Sequence, residues 1–266
     1  MRGRGVSAIL PAMSEIAPRT ALITGAAHRI GRALALDLAR HDWMVAVHYN
    51  RSAEAATQVV KEIVAAGGTA IALEADLARE DEVMTLVPRA VEALGPLGCL
   101  INNASVFEND MATTATRQSW DIHMETNLRA PFVLIQAFAA QLPPDCQGAV
   151  VNLLDQRVWN LTPYFTTYTL SKAGLWILTQ TLALSLAPRI RVNAIGPGPT
   201  LPSPRQTAEQ FARQCDAMPL QRGTAPEEIC EAVRFILAAP AMTGQMIALD
   251  GGQHLCWAPA GPPADE

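Results

Sequence analysis

The chain carries no excess of positive charge: 20 Lys and Arg stand against 25 Asp and Glu, a formal net charge of −5. Neither nucleic acid nor an anionic membrane is therefore an expected partner. Cysteine is sparse and unpatterned. The five residues Cys99, Cys146, Cys215, Cys230 and Cys256 are odd in number and show no C-x-x-C spacing. That excludes a zinc pattern, so no metal is expected, and it suits reduced thiols and a cytoplasmic location. Long apolar runs are missing at the start, where Pro11 interrupts a stretch too short to span a bilayer. Residues 1–19 read as a flexible leader, with Met13 as an alternative start or a cleaved targeting peptide as the competing reading. Residues 257–266 read as a flexible Pro/Gly/Ala-rich tail. No internal repeat and no second domain are visible, so one domain over 20–256 is expected.

What is present is alternation. Apolar strand-like runs at Thr20–Thr24, Trp43–His48, Thr69–Leu73, Leu97–Ile101, Ala149–Leu154, Arg191–Ile195 and Gln245–Leu249 are separated by helical segments. The helices are expected from the Gly25 turn to about Arg40, and at Ala53–Ala66, Glu80–Ala93, Gln118–Gln141, Tyr164–Leu186 and Pro226–Ala238. Continuously apolar strands suit a parallel sheet covered on both faces. The pattern predicts an α/β, Rossmann-type doubly wound parallel sheet with ligands at the carboxyl ends of its strands.

The first strand-to-helix turn reads TGAAHRIG, Thr24 to Gly31. Gly25 permits a tight turn, and Gly31 lets the following helix pack closely, its N-terminus facing a diphosphate. Arg29 stands where a third glycine is common and sets a cation beside Ile30 and the expected phosphates. An ordinary βα turn is the bland reading. After the second strand the chain reads His48, Tyr49, Asn50, Arg51, Ser52, with no carboxylate to hold the ribose hydroxyls of NAD. Arg51 and Ser52 suit a 2′-phosphate instead, which favours NADPH/NADP as cofactor. Asp76 and Leu77 suit an adenine edge, with a plain turn residue as the alternative for Asp76.

Tyr168 and Lys172 stand four residues apart in a helical segment, about one turn, and so share a face. A neighbouring cation favours a phenolate, so the pair reads as a tuned proton donor. TG-x-x-x-R-I-G, Asp76-Leu77, NNAS at Asn102 to Ser105, Asn127, Tyr168-x-x-x-Lys172, Pro197-Gly198 and TGQMIALDGG ending at Gly252 come in order along the chain. Together they resemble the short-chain dehydrogenase/reductase family from about Thr20 to Leu255.

The resemblance implies hydride transfer from a nicotinamide to a C=O or C=N bond. It makes Tyr168 the proton donor and Lys172 the group that holds the nicotinamide ribose and favours the phenolate. Asn127 would anchor a relay water, or else bond neighbouring backbone as an interior amide. Asn103, Ala104, Ser105, Pro197 and Gly198 would line the cofactor. By the same resemblance the long helices Gln118–Gln141 and Tyr164–Leu186, more apolar than one face needs, would form a helix-bundle interface in a homotetramer, although burial within one subunit explains them too.

One departure concerns the residue about a dozen before the tyrosine, where most members carry a serine and this chain carries Asp155. An aspartate is an acceptor and cannot polarise a ketone as a hydroxyl does. It suits a nitrogen heterocycle with N–H groups, or a proton shared within a buried site. This feature, with Arg29, HYNRS and Phe107 after NNAS, is similar to pteridine reductases and dihydromonapterin reductases of the family. That likeness implies a pterin-like small-molecule substrate stacked on Phe107, its polar edge held by Arg29 and Ser105. A generic NADP-dependent carbonyl reductase and a non-catalytic NADP-binding sensor remain the alternatives. Thr200 to Gly223 is expected to form a substrate lid without firm structure.

Overall fold

A computed structural model describes residues 18–203 and 205–256; the expectations for the leader before Pro18 and for the tail 257–266 lie outside the described residues. Strands β1 (Thr20–Ile23), β2 (Met44–Tyr49), β3 (Ala70–Glu74), β4 (Cys99–Asn102), β5 (Gly148–Leu153), β6 (Ile190–Pro197) and β7 (Met246–Leu249) form one sheet. Its order is β3-β2-β1-β4-β5-β6-β7, with every pairing parallel. The doubly wound expectation holds.

Successive strand residues point to opposite faces and both faces are covered, which is why the strands read as unbroken apolar runs. Ala21, Ile23, Val45, Val47 and Ile101 pack with helices α1 (Arg29–Arg40), α2 (Ala53–Ala65) and α8 (Pro226–Ala238). Leu22, Ala46, Leu100 and Val150 pack on the other side with α3 (Glu80–Leu94), α5 (Ala130–Gln141) and α6 (Thr166–Leu186). Helix α1 shows the local logic: Leu34 and Leu38, one turn apart, are fully buried while Arg32 and Arg40 face outward. Truncating Leu38 to Ala would cost about 2–5 kcal/mol.

The order in which strands are added to the sheet reverses between β1 and β4. In a sheet of this order a crevice opens outside the carboxyl ends of those two strands, and the loops after β1, β4, β5 and β6 converge there.

Three elements differ from the sequence-based expectation. The helix expected over Gln118–Gln141 is α4 (Arg117–Met124), one π-helical turn over Glu125–Arg129, then α5. The Ala130 N–H reaches back to the Glu125 carbonyl, a spacing of five, so the inserted turn rotates α5 relative to α4 and sets Asn127 inward. The lid segment expected to lack firm structure contains α7 (Ala208–Asp216), closed at its start by a Thr207/Gln210 capping box. Helix α6 also begins at Thr166 rather than Tyr164, because Phe165 before it takes a left-handed backbone with φ of 57°. Among the described residues no helix is long and apolar enough to cross a membrane.

Candidate active site

A cleft of about 270 Å³ opens at the crevice. Arg29, Ser105, Phe107, Asp155, Tyr168 and Lys172 all line it, brought together from two loops and two helices.

Strand β5 ends at Leu153, and Asp155 lies just beyond it with its Oδ1 accepting the Arg157 N–H at 2.8 Å, which opens a short 3-10 turn. The Tyr168 hydroxyl donates to Asp155 Oδ2 at 3.0 Å. The Arg157 guanidinium lies 3.4 Å from the same carboxylate and 5.0 Å from the Phe165 ring centre. Tyr168 and Lys172 are 5% and 2% exposed, so a phenol, a carboxylate and two cations share one nearly dry wall. The Lys172 ammonium donates to the Leu153 carbonyl at 2.8 Å and sits 5.8 Å from the Tyr168 ring centre. Burial pushes its pKa down to about 8, against the pull of Asp155.

Phe107 meets the Tyr168 ring edge-on at 4.7 Å and stacks in parallel on Phe165 at 4.4 Å. Phe165 and Arg157 are not expected from the sequence pattern. An arginine two residues after Asp155 and a phenylalanine three before Tyr168 are visible in the chain, but only the fold turns both onto this wall.

The glycine turn is a cradle that side chains would fill. A Cβ on Gly31 would lie 2.2 Å from the Gly25 carbonyl oxygen, and Gly25 itself has φ of +63°. Helix α1 has no side-chain cap from its N-cap His28, so that residue leaves the first N–H groups of the helix to other acceptors, such as a phosphate. Asn103 Nδ2 braces the turn through the Thr24 carbonyl at 2.8 Å, and Ala104 N–H donates to Thr24 Oγ1 at 3.0 Å. Arg51 is exposed beyond β2, and Ser52 caps α2 without using its side chain. Backbone donors, two cations and a hydroxyl fit a phosphorylated dinucleotide. Pro197 and Gly198 lie at the end of β6 on the cleft wall.

Three sequence expectations need correction, those for His48, Leu77 and the Asn127 amide, and Arg29 keeps its place on the cleft wall with further partners. His48 does not face the crevice: it is 1% exposed, accepts the Gly25 N–H on Nδ1 at 3.0 Å and donates from Nε2 to the Ala75 carbonyl at 3.0 Å. It therefore supports the turn from behind, and burial pushes its pKa down to about 4. Leu77 is 6% exposed and packs with Val83 and Leu86 in the core, so its side chain presents no adenine edge. The Asn127 amide has nothing left for a relay water. Its Oδ1 accepts from Val106 N–H at 2.8 Å and Ser105 Oγ at 3.2 Å, while Nδ2 donates to the Val106 carbonyl at 2.9 Å and Ser171 Oγ at 3.1 Å. It ties the loop after β4 to α6. Arg29 reaches the lid, donating to the carbonyls of Leu201 and Pro202 at 3.0 and 2.8 Å, with φ of 53°.

Tyr49, Asn50 and Asp76 lie at or just after the ends of β2 and β3. Tyr49 reaches Glu74 at 3.4 Å, Asn50 donates to Asp76 Oδ1 at 3.3 Å, and the same Asp76 oxygen accepts the Ala78 N–H at 3.0 Å. Asp76 is thus a turn-forming residue at the edge of the crevice. Ile30 lines the cleft beside Arg29. Among the described residues no cluster of His, Cys, Asp and Glu could hold a metal.

Comparison with known proteins fits this arrangement. A family model described as Enoyl-(Acyl carrier protein) reductase matches residues 25–254. A curated 3-oxoacyl-[acyl-carrier-protein] reductase FabG of Staphylococcus epidermidis is 34% identical over 89% of this chain and 99% of its own. Among solved structures, FolM alternative dihydrofolate reductase 1 of Brucella canis, complexed with NADP, is 46% identical with a TM-score of 0.87, covering 92% of this chain and 97% of the other. The same enzyme of Brucella suis, also with NADP, is 48% identical with a TM-score of 0.88, over 90% and 96% of the two chains. With its parallel sheet reversing at β1/β4, its glycine cradle and its Tyr168/Lys172 wall, the chain belongs to the short-chain dehydrogenase/reductase family.

Proposed function

We propose that this protein is an NADPH-dependent reductase of a C=N bond in a dihydropterin such as dihydrobiopterin, dihydromonapterin or dihydrofolate. The observation that carries the reading is the Tyr168–Asp155 hydrogen bond of 3.0 Å. Where a serine would donate to a ketone oxygen, this wall offers a carboxylate that accepts. A substrate with ring N–H groups satisfies it, and a simple ketone leaves it facing a lone pair. The NADP-bound dihydrofolate reductases of Brucella, at 46% and 48% identity, support cofactor and substrate class alike.

The cofactor supplies the hydride when bound. The Gly25 and Gly31 cradle, the α1 N-terminus and Arg29 hold its diphosphate, with Asn103 and Ala104 bracing that turn. Arg51 pairs with the 2′-phosphate, and the Ser52 hydroxyl donates to it. Lys172 holds the nicotinamide ribose with protons not committed to Leu153. Phe107, backed by Phe165, offers a flat face for the pterin ring, worth about 1 kcal/mol beyond area burial. Ser105 and Arg29 hold the ring's polar edge. Tyr168 would give its phenolic proton to the substrate nitrogen beside the carbon that is reduced, and Asp155 would orient the phenol and accept a substrate N–H.

We further propose that the protein works in the cytoplasm as a homo-oligomer, a tetramer favoured. Leu170, Ile177 and Leu184, spaced by seven on α6, are 46%, 60% and 83% exposed and form an apolar stripe that a second copy would cover.

A second reading, an NADP-dependent carbonyl reductase with Asp155 as a tolerated replacement, draws on the 34% identity to 3-oxoacyl reductases. Steady-state NADPH oxidation decides between them, using 7,8-dihydrobiopterin and dihydromonapterin beside simple ketones and an NADH control. Turnover confined to pterins is expected. Ketone turnover without pterin turnover would replace this reading with the second, and no turnover at all would favour a binding protein.

A further inference from the structure

Next to the cleft lies a buried polar network that takes no part in the chemistry described so far. Asp110, 4% exposed, stands three residues after Phe107 on the loop following β4. Its Oδ1 accepts the Thr167 N–H at 3.0 Å, and its carbonyl accepts the Thr166 N–H at 3.2 Å. Both amides that open α6 therefore end on one residue, because the N-cap Phe165 has no side chain able to take them. Asp110 Oδ2 further accepts Thr167 Oγ1 at 2.5 Å and Ser119 Oγ at 2.9 Å. A carboxylate at a helix N-terminus is also favoured by the helix dipole.

The network runs on to a ring that touches Tyr168. Glu108 N–H donates to His123 Nε2 at 3.1 Å, which leaves the His123 proton on Nδ1, 2.7 Å from Thr167 Oγ1. His123 therefore donates to Thr167, and Thr167 donates to Asp110. Burial lowers the His123 pKa, in the direction that favours this neutral tautomer. Burial opposes the Asp110 charge, yet the bonds from Thr167 and Ser119 hold its carboxyl below the usual range. The His123 ring lies edge-on to Tyr168 with centres 6.0 Å apart. One set of bonds thus joins the loop bearing Ser105 and Phe107, helix α4, and the first turn of the helix bearing Tyr168.

We infer that Asp110, acting through Thr167 and His123, is a positioning residue for proton transfer: it sets Tyr168 against Phe107 and Asp155 without touching the substrate. This rests on the proposed role of Tyr168 as proton donor. Misplacing a reacting group by about 1 Å costs up to about 100-fold in rate.

The test compares Thr167→Val, which keeps the shape and the backbone N–H but removes the hydroxyl, with Thr167→Ser, which restores it. For Thr167→Val, kcat of NADPH oxidation with 7,8-dihydrobiopterin should fall about 10- to 100-fold. The NADPH dissociation constant should stay within about two-fold, while the solvent deuterium isotope effect on kcat rises because proton transfer becomes slower. Thr167→Ser should recover most of the rate. A substrate-free measurement uses 3-fluorotyrosine labelling, since the chain has three tyrosines and the Tyr168 fluorine signal is the one lost in Tyr168→Phe. That signal should shift in Thr167→Val and stay in Thr167→Ser. Should Thr167→Val not fold, Ser119→Ala, which removes one bond to Oδ2 and leaves the α6 amides capped, should give the same changes in smaller measure.

An unshifted Tyr168 signal, or kcat and NADPH affinity falling together with no isotope effect, would overturn the inference. An inactive Tyr168→Phe beside a fully active Thr167→Val overturns the Asp110 role alone. A fully active Tyr168→Phe overturns the proton-donor assignment and this inference with it.

Discussion

His48 offers a quantity that can be worked from the structure and measured. Its ring is buried behind the glycine turn, with Nδ1 accepting from Gly25 and Nε2 donating to Ala75. A proton arriving on Nδ1 would break the Gly25 bond and place a charge in the core. Burial is the main reason its pKa falls to about 4 from 6.5; Arg89 acts in the same direction, and the Ala75 bond and Asp76 oppose it. The folded pKa is the lower one, so between 6.5 and 4 the unfolded chain takes up a proton that the native state refuses. Stability from this group is complete above the upper value and is lost as pH falls through the window. With about 1.36 kcal/mol per pKa unit, the loss is about 3 kcal/mol.

The variant His48→Asn keeps an acceptor for Gly25, does not titrate and loses the bond to Ala75. At neutral pH it should be less stable than wild type by about 1–3 kcal/mol. Urea unfolding at fixed protein concentration, repeated from neutral pH to about pH 4, should show the wild-type advantage shrinking by about 3 kcal/mol and reversing or vanishing. Because both proteins share every other titratable group, their difference isolates the histidine. A difference that stays constant with pH would refute the burial argument for His48.

Arg51→Ala should raise the NADPH KM about 10- to 100-fold and leave NADH nearly unchanged, since only the 2′-phosphate loses a paired cation; equal losses for both cofactors would remove that argument. Asp155→Ser should lower kcat/KM for dihydropterins about 10- to 150-fold, the worth of a charge-assisted hydrogen bond, while ketone turnover rises. Parallel changes for both substrate classes would show that Asp155 does not select between them. Gly31→Ala should cost on the order of 3 kcal/mol and weaken NADPH binding, since its Cβ would stand 2.2 Å from the Gly25 carbonyl oxygen. A melting temperature equal to wild type would mean that the turn gives way at little cost.

Some features were legible because a local rule is enough to write them. Apolar runs of strand length mark a two-sided sheet, and glycines at both ends of a turn mark a close approach whatever surrounds them. Tyr168 and Lys172 meet because four residues make one helical turn. Helix α7 was legible too, in the Thr207 and Gln210 capping pair, but the surrounding prolines and polar residues masked it. The π turn was not, because a helix with one extra residue per turn differs from its neighbours only in what its inward side chain meets. Here Asn127 meets Val106 and Ser171, residues far from it in the chain.

Sequence by itself determined the order of the seven strands and of most helices, the glycine turn after β1 and the four-residue spacing of Tyr168 and Lys172, since each depends on residues near one another in the chain. Tertiary structure alone decided that His48 supports the turn from behind and that Asn127 spends its amide on a loop. It also brought Arg157, Phe165 and the Asp110 network onto the wall that holds Tyr168. Burial and hydrogen-bond partners across 44 or 57 residues of chain, as between Asn127 and Ser171 or Asp110 and Thr167, are properties of packing that no local pattern records.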